Sequence, residues 1–240
     1  HLDTGLMYSY PVGQTDEIAR SGTLPFSATL EEINTRTYLR CGITRRPGFA
    51  EYDDSATNNY FGMDVEYCKL LSAALFVGNV SKVEFIELNE TTRIQALRDG
   101  RVDVLAGQQV SLTNQFFEPT TGLSYSFSAP YFYDNTDILA LATRREDELW
   151  SSFVYWMTTS VVYAEEQNIT KSTAIQMPTV TVFGDSFLQA FQQSFRECVA
   201  GVGNYGELYA RTLQSLLPRE GGNLLNTAPF GPQQAAFPLV

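Results

Sequence analysis

The sequence is poor in the residues on which most catalytic and metal-binding chemistry depends. Its 240 residues include one histidine, His1, and three cysteines, Cys41, Cys68 and Cys198. A Ser/His or Cys/His dyad needs a histidine within the folded chain, whereas His1 is the first residue. The cysteines show no close metal-ligand spacing, and zinc would need a fourth ligand. We therefore expect a protein that is not an enzyme and holds neither a metal nor a cofactor.

Long apolar runs and clustered basic residues are also missing. No apolar run approaches the roughly 20 residues of a transmembrane helix. Lysine and arginine number 16 against 27 acidic residues, which gives a net charge of −11. This balance argues against nucleic acid, because phosphate binding depends on clustered positive charge. We expect partners that are proteins or small solutes, no nucleic acid and no membrane span.

The chain starts without Met and without a signal sequence, which predicts a mature form processed after export to the periplasm or to a secretory or organelle lumen. Export permits disulfides, so Cys41 and Cys68 form either a disulfide or two small buried thiols. N-glycosylation sequons start at Asn79, Asn89 and Asn168. They would mark surface loops on a eukaryotic secretory route and mean nothing in a bacterium.

Hydrophobic periodicity predicts alternating strands and helices in the first half of the chain. Helices are predicted over 28–36, 63–76 and 91–99, and strands over 38–43, 82–88 and 102–105. Thr29 and Asp64 are the candidate N-caps of the first two helices. This succession implies right-handed crossovers and a parallel sheet.

The second half contains further strands and a long helix. Strands are predicted over 124–133 and 137–142, and helices over 146–166, 186–199 and 205–217. The apolar stripe of the 146–166 helix, with Trp150 and Trp156, is typical of a protein core. Residues 1–28 and 219–240 lack any period and are expected to form an extended arm and an irregular tail around a single lobe, 29–218.

Four stretches, in order, carry a resemblance to a known family. They are YLRCGI at 38–43, GMDVEYC at 62–68, TRIQALRDGRVDVL at 92–105 and FSAPYFYD at 127–134. Their order and spacing resemble the periplasmic general amino-acid-binding proteins of ABC transporters, and the resemblance covers most of residues 20–230. It implies an α/β lobe of the periplasmic-binding-protein type, with a mostly parallel central sheet flanked by helices.

One departure from the family concerns its second lobe. Family members insert a second α/β lobe after the strand that matches 137–142, and the chain returns just before the next helix. Here residues 142–147 lead directly from strand to helix, so we expect the second lobe to be absent. A single lobe offers half a cleft, and any affinity for an amino acid should be weak.

The resemblance also implies a ligand shelf after the strand at 102–105. Its candidate residues are Gln108, Gln109, Ser111, Thr113 and Gln115. An ungapped match puts Gln115 where the family has an arginine that holds the ligand α-carboxylate, and a neutral amide does not replace a guanidinium there. A solvated loop remains the alternative for this stretch.

We interpret the sequence as a non-enzymatic, degenerate amino-acid-binding domain that acts as a structural or interaction subunit of a larger assembly. Other protein subunits would dock on the terminal arms and on an aromatic surface that the second lobe would otherwise cover. These aromatic residues are Phe49, Tyr52, Tyr60, Phe61, Phe116, Phe117, Tyr125, Tyr131, Phe132 and Tyr133. The alternatives are a minimal amino-acid-binding protein of an ABC-type transport system and, third, an enzyme on a related fold.

Overall fold

The computed structural model describes residues 27–55, 60–110, 125–133, 138–179 and 192–224. In chain order the elements are α1 (Ala28–Arg36), β1 (Leu39–Ile43), β2 (Glu51–Tyr52), β3 (Tyr60–Phe61), α2 (Met63–Leu75), β4 (Val83–Glu87), α3 (Arg93–Arg98), β5 (Val104–Gln109), β6 (Tyr125–Phe127), β7 (Phe132–Tyr133), β8 (Ile138–Arg144), α4 (Glu148–Glu166), α5 (Ser194–Val202) and α6 (Tyr205–Thr212). Two 3-10 helices span Lys171–Gln176 and Gly221–Asn223.

The main sheet has the strand order β4-β1-β5-β8-β6, and β7 also pairs with β8. Strand β1 pairs in parallel with β4 and β5, whereas β8 runs antiparallel to β5, β6 and β7. Among the described strands of this sheet, β8 is therefore the one that runs antiparallel to the others. The predicted α/β fold with a mostly parallel central sheet is confirmed.

Helices cover both faces of the sheet because its strands are apolar on both sides. On one face, α2, α4, α5 and α6 pack against Val104, Ala106 and Leu141. On the other, α3 packs against Leu105 and Ala142. Successive strand residues thus belong to different cores, as the alternation of side chains along a strand requires.

The long helix α4 buries Trp150 rather than Trp156. Trp150 is fully buried and its Nε1 donates a hydrogen bond of 2.9 Å to the Asp103 carbonyl oxygen. Trp156 is only partly buried. It follows Trp150 by six residues, about 240° around the helix axis, and so leaves the buried stripe. Trp156 therefore lies at the edge of the predicted core stripe, where it packs against the core but stays partly exposed.

One carboxylate fixes the starts of two helices. Ser27, not Thr29, caps α1, and its hydroxyl donates to Asp147 Oδ2 at 2.8 Å. Asp147 Oδ2 also accepts the Thr29 N–H at 2.9 Å, while Oδ1 accepts the Trp150 N–H at 3.0 Å and caps α4. The predicted Thr29 cap is wrong, because Thr29 is the second residue of α1 and its hydroxyl accepts a hydrogen bond of 2.8 Å from Arg144 Nη2 instead.

The predicted ends of several elements shift by a few residues. Helix α5 is described from Ser194, and residues 186–191 of the predicted helix lie outside the described residues. Helix α6 ends at Thr212 instead of continuing to 217. Three residues, 145–147, join β8 to α4. No helix in the described ranges combines the length and the hydropathy needed to cross a membrane.

The N-terminal arm and most of the C-terminal tail, residues 1–26 and 225–240, lie outside the described residues. The first residues of the tail pack against the lobe. Arg219 binds the Glu165 carboxylate through two nitrogens at 2.5 and 2.6 Å, and its guanidinium lies 4.7 Å from the Tyr205 ring centroid. Arg219 therefore attaches this segment to α4 and α6.

Candidate functional site

The strand order creates a topological switch point beside β1. The chain runs from β1 through α2 to β4 on one side, and then through α3 to β5 on the other side of β1. In open α/β sheets, ligands bind in the crevice outside the carboxyl ends of the strands at such a point. The candidate site is therefore the surface formed by residues 44–50 after β1 and residues 107–110 at the end of β5, which we call the carboxyl edge.

A bulge in β5 shapes the carboxyl edge. The pairing of β5 with β8 shifts register between Leu105 and Gln108, and Gly107 between them has φ +64°. A Cβ atom at position 107 would lie 2.3 Å from Asp64 Oδ2, so the position needs glycine for its conformation and for its space. Strand β5 continues past this bulge to Gln109, whereas the sequence predicted its end at 105.

A buried hydrogen-bonded network supports this bulge. The Tyr131 hydroxyl accepts the Gly107 N–H at 2.7 Å and donates to Asp64 Oδ1 at 2.6 Å. The Tyr131 ring stacks on Tyr67 with centroids 4.2 Å apart. Three segments, the start of α2, the bulge of β5 and the residue before β7, thus meet at one hydroxyl group.

Asp64 does not cap α2, so this prediction is wrong. Helix α2 begins after Gly62 without a side-chain cap, and the Asp64 carboxyl group turns inward to Tyr131. Burial raises the pKa of Asp64, against the opposing effects of the Arg46 and Arg93 charges and of the Tyr131 hydrogen bond. Burial also raises the pKa of Tyr131 well above its ordinary value, so its hydroxyl stays protonated and can donate.

Arg46 lies in the loop that follows β1. Its guanidinium carbon is 3.9 Å from the Phe49 ring centroid, and its Nη2 is 3.8 Å from Asp64 Oδ2. Nη2 is buried without a hydrogen-bond partner among the described residues. The loop is held by backbone hydrogen bonds in both directions between Arg46 and Ala50, at 3.0 and 2.9 Å. The loop thus presents a fixed positive charge at the carboxyl edge.

The structure describes two of the five predicted ligand-shelf residues. Gln108 is 7% exposed, and its Oε1 has no hydrogen-bond partner among the described residues. Its Nε2 lies 3.5 Å from the Gln109 carbonyl oxygen, at the outer limit of a hydrogen bond. The Gln109 residue is exposed. Ser111, Thr113 and Gln115 lie outside the described residues.

The other predicted site residues, the cysteines and the sequon asparagines, do not belong to the carboxyl edge. Cys41 of β1 and Cys68 of α2 are joined in a disulfide, and Cys198 is buried, which raises the pKa of its thiol. The sequon residues are all exposed and lie in three different loops; they are Asn79, Asn89 and Asn168. The described residues contain no group of three or more His, Cys, Asp or Glu side chains arranged to hold a metal ion.

Half of the described members of the predicted aromatic face are buried, whereas Tyr52, Tyr60 and Tyr133 are partly exposed. Four of its members are buried in the cores, which corrects the prediction for Phe49, Tyr125, Tyr131 and Phe132. Their rings fill the space between strands and helices, where apolar burial is worth most. Phe61 on the β2–β3 hairpin is 44% exposed. Phe116 and Phe117 lie outside the described residues.

Sequence comparisons identify relatives of this chain. Residues 39–215 match the bacterial extracellular solute-binding proteins, family 3. The general L-amino acid-binding periplasmic protein AapJ of Rhizobium johnstonii is 32% identical over 109 residues, which are 45% of this chain and 30% of that protein. The glutamate/glutamine/aspartate/asparagine-binding protein BztA of Rhodobacter capsulatus is 35% identical over the same shares. The matched part thus spans less than a third of these curated relatives.

A solved structure has the same fold. The ABC transporter/periplasmic binding protein from Brucella ovis with glutathione bound superposes with a TM-score of 0.65, over 80% of this chain and 93% of that chain. The two sequences are 20% identical. The likeness covers most of the chain and supports the architecture described above.

Proposed function

The chain belongs to the bacterial extracellular solute-binding proteins of family 3, and on this premise we propose that it binds an amino acid at the carboxyl edge. The relatives that are 32% and 35% identical are named as amino-acid-binding proteins. Both names describe binding, and neither names an enzymatic activity. The alternative of an amino-acid-binding protein of a transport system is thus better supported than the interaction subunit that the sequence first suggested.

The observation that carries the proposal is the state of Gln108. Its side chain is almost fully buried at the carboxyl end of β5, and its Oε1 has no partner among the described residues. A buried amide oxygen without a partner costs about 1–3 kcal/mol, so such a group calls for an explanation. A bound solute that donates an N–H to Oε1 supplies one, since an ammonium group offers three such donors.

Extracytoplasmic location is part of the proposal. AapJ is named as a periplasmic protein, and the family is described as extracellular. The Cys41–Cys68 disulfide is suited to an oxidising compartment. Nothing among the relatives favours an organelle lumen over the periplasm. We therefore propose an exported protein whose carboxyl edge meets solutes outside the cytoplasm.

The interaction subunit ranks second, on one observation. Residues 145–147 join β8 to α4 directly, so no second lobe is inserted at this connection, and the described residues form one wall of the carboxyl edge. A partner chain would then supply the other wall, or would replace the solute. The burial of four of the predicted interface aromatics counts against this second candidate.

Titration of the purified, oxidised chain with each of the twenty amino acids tests the proposal. Calorimetry and two-dimensional NMR up to millimolar concentrations should show saturable binding of at least one of them. Gln108→Ala should weaken this binding, whereas Gln95→Ala, which removes an exposed glutamine that donates to Asp99 at the end of α3, should leave it unchanged. Absence of saturable binding by any amino acid would reject the proposal in favour of the interaction subunit.

A further inference from the structure

We infer that Asn223, in the segment after α6, is a positioning residue for solute binding at the carboxyl edge. The inference rests on the proposed function and names a residue outside the edge that keeps the edge in its binding conformation. Asn223 ends the 3-10 helix Gly221–Asn223 and is 7% exposed. It acts through the backbone of residues 131–133, which comprise Tyr131 and β7.

The Asn223 side chain binds the backbone of β7 through both ends of its amide group. The Tyr133 N–H donates to Asn223 Oδ1 at 2.8 Å, and Asn223 Nδ2 donates to the Tyr133 carbonyl oxygen at 2.6 Å. A side-chain amide thus exchanges two hydrogen bonds with one residue, as a residue of a neighbouring antiparallel strand does. Because β7 has only two residues, it forms few backbone hydrogen bonds of its own, and Asn223 supplies two of those that hold it.

The segment that contains Asn223 is itself fixed to the helices. Arg219 Nε donates to the Asn223 carbonyl oxygen at 3.0 Å. The same guanidinium binds both carboxylate oxygens of Glu165 in α4 and lies over the ring of Tyr205 in α6. Bidentate pairing of arginine with a carboxylate is both strong and geometrically specific. Arg219 and Asn223 therefore connect α4 to β7, and we call these two residues the tail clamp.

The tail clamp reaches the carboxyl edge through Tyr131, which lies directly before β7. The Tyr131 hydroxyl accepts the Gly107 N–H in the bulge of β5. The Tyr131 carbonyl oxygen accepts the Tyr205 hydroxyl at 2.9 Å, and the Tyr205 ring carries the guanidinium of Arg219. The backbone that positions the Tyr131 side chain is thus held by α6 and, two residues later, by Asn223.

Release of the tail clamp should therefore disturb Gln108, which directly follows Gly107. If the backbone at 131–133 shifts, the Tyr131 hydroxyl no longer holds the bulge. A solute that needs Gln108 in place binds only the clamped conformation, and its apparent affinity falls with the population of that conformation. By the same linkage, a bound solute should stabilise the tail clamp and slow hydrogen exchange of the Tyr133 N–H.

Amide hydrogen exchange followed by NMR tests the contact without any solute. In Asn223→Ala, the Gly107 N–H should exchange about 10-fold faster than in the wild type or more, because the opening that exposes it becomes easier. The matched control is Asn79→Ala, which removes an exposed asparagine that accepts the Ser81 N–H at 2.9 Å in the loop before β4. It should leave the exchange of Gly107 unchanged.

Two outcomes of the exchange measurement would overturn the inference. One is wild-type exchange of Gly107 in Asn223→Ala, which would mean that the bulge does not depend on the tail clamp. The other is a single common rate for Gly107 and the amides of β1, which would mean that the whole lobe opens at once.

Titration of the same variants tests the role in binding. With the amino acid that binds the wild type, Asn223→Ala should bind about 3- to 10-fold more weakly, and Asn79→Ala should stay within about twofold of the wild type. A merely structural role lowers the melting temperature but leaves the affinity of the folded chain unchanged, and unchanged affinity would overturn the inference. Absence of binding by the wild type rejects the proposed function and the role of Asn223 in it, whereas the exchange measurement still decides the contact with Gly107.

A double-mutant cycle with Tyr131→Phe tests the route. If Asn223 acts through the Tyr131 hydroxyl, Asn223→Ala should change the affinity of the Tyr131→Phe chain by less than about twofold. Independent, multiplicative losses of affinity in the double variant would overturn this route.

Arg219→Gln keeps the measurements decisive should Asn223→Ala fail to fold. It removes the bond to the Asn223 carbonyl oxygen and the pairing with Glu165, while the Asn223 amide remains. We expect faster exchange of Gly107 and several-fold weaker binding, with circular dichroism and thermal unfolding as evidence that each variant is folded. Wild-type values of both quantities in folded Arg219→Gln would overturn the inference.

Discussion

The Tyr131 hydroxyl donates a hydrogen bond of 2.6 Å to Asp64 Oδ1, although 67 residues separate the two in sequence. The same hydroxyl accepts the Gly107 N–H. This contact fixes the bulge of β5 and, beyond it, Gln108. Tyr131 and Asp64 therefore position the carboxyl edge without being among the residues that the resemblance implies for ligand binding.

Tyr131→Phe should destabilise the lobe by about 1–3 kcal/mol, because it leaves the Gly107 N–H and the Asp64 carboxyl group buried without their partner. The stack on Tyr67 is retained, so the loss reports the hydroxyl alone. Urea denaturation measures the change. Tyr38→Phe, at a half-buried ring in contact with Arg36, is the control and should stay within about 0.5 kcal/mol of the wild type. Equal stability of both variants would contradict the role of the hydroxyl.

Asp64 should make the lobe less stable as pH rises. Burial raises the pKa of its folded-state carboxyl group above the ordinary value of 3.8, so the folded chain holds this proton to a higher pH than the unfolded chain. Its contribution to stability is complete below 3.8 and is lost as pH rises through the folded pKa. Urea denaturation between pH 4 and about pH 7 should show the wild type losing stability relative to Asp64→Asn. A constant difference between the two would contradict this effect.

Reduction of the Cys41–Cys68 disulfide should lower stability by about 2–4 kcal/mol, because the bond closes a loop across a sequence separation of 27 residues. The Cys41→Ala/Cys68→Ala chain should show the same loss, and reductant should not change it further. Thiol titration of the denatured chain provides the check: one free thiol, that of Cys198, is expected. Three thiols in the chain denatured without reductant would favour the alternative of two buried thiols at positions 41 and 68.

Trp150→Ala should cost about 3–5 kcal/mol, as truncation of a large buried aromatic does. Its Nε1 hydrogen bond to the Asp103 carbonyl oxygen is lost as well. Trp156→Ala should cost clearly less, because Trp156 is only partly buried. Denaturant unfolding of the two variants compares them directly. A larger loss of stability for Trp156→Ala than for Trp150→Ala would contradict the orientation of α4, because it would mean that Trp156 lies on the buried face.

Local patterns predicted the strands and helices but not every position within them. Apolar spacing located β1, α2 and α4 to within a few residues, because burial on a sheet or a helix face imposes a short period. The end of β5 was missed, since Gly107 introduces a bulge that interrupts the alternation. The partial exposure of Trp156 was missed because a helix rich in aromatics offers several apolar stripes, and only packing selects one of them.

The candidate site was predictable only in part. Resemblance to a family pointed to Gln108 and Gln109, which lie at the end of β5. Arg46, Asp64 and Tyr131 come from distant parts of the sequence, and their contacts are created by the tertiary fold. Two signals were nevertheless present: an arginine in the loop after the central strand and a glycine within an otherwise apolar strand.

The Asp147 carboxylate accepts hydrogen bonds from Ser27 and Thr29 at the start of α1 and from Trp150 at the start of α4. The end of β8 is tied to the same junction, because the Thr143 and Ser151 hydroxyls lie 2.7 Å apart and Arg144 Nη2 donates to Thr29 Oγ1 at 2.8 Å. The starts of two helices and the end of one strand therefore form a single hydrogen-bonded corner of the lobe.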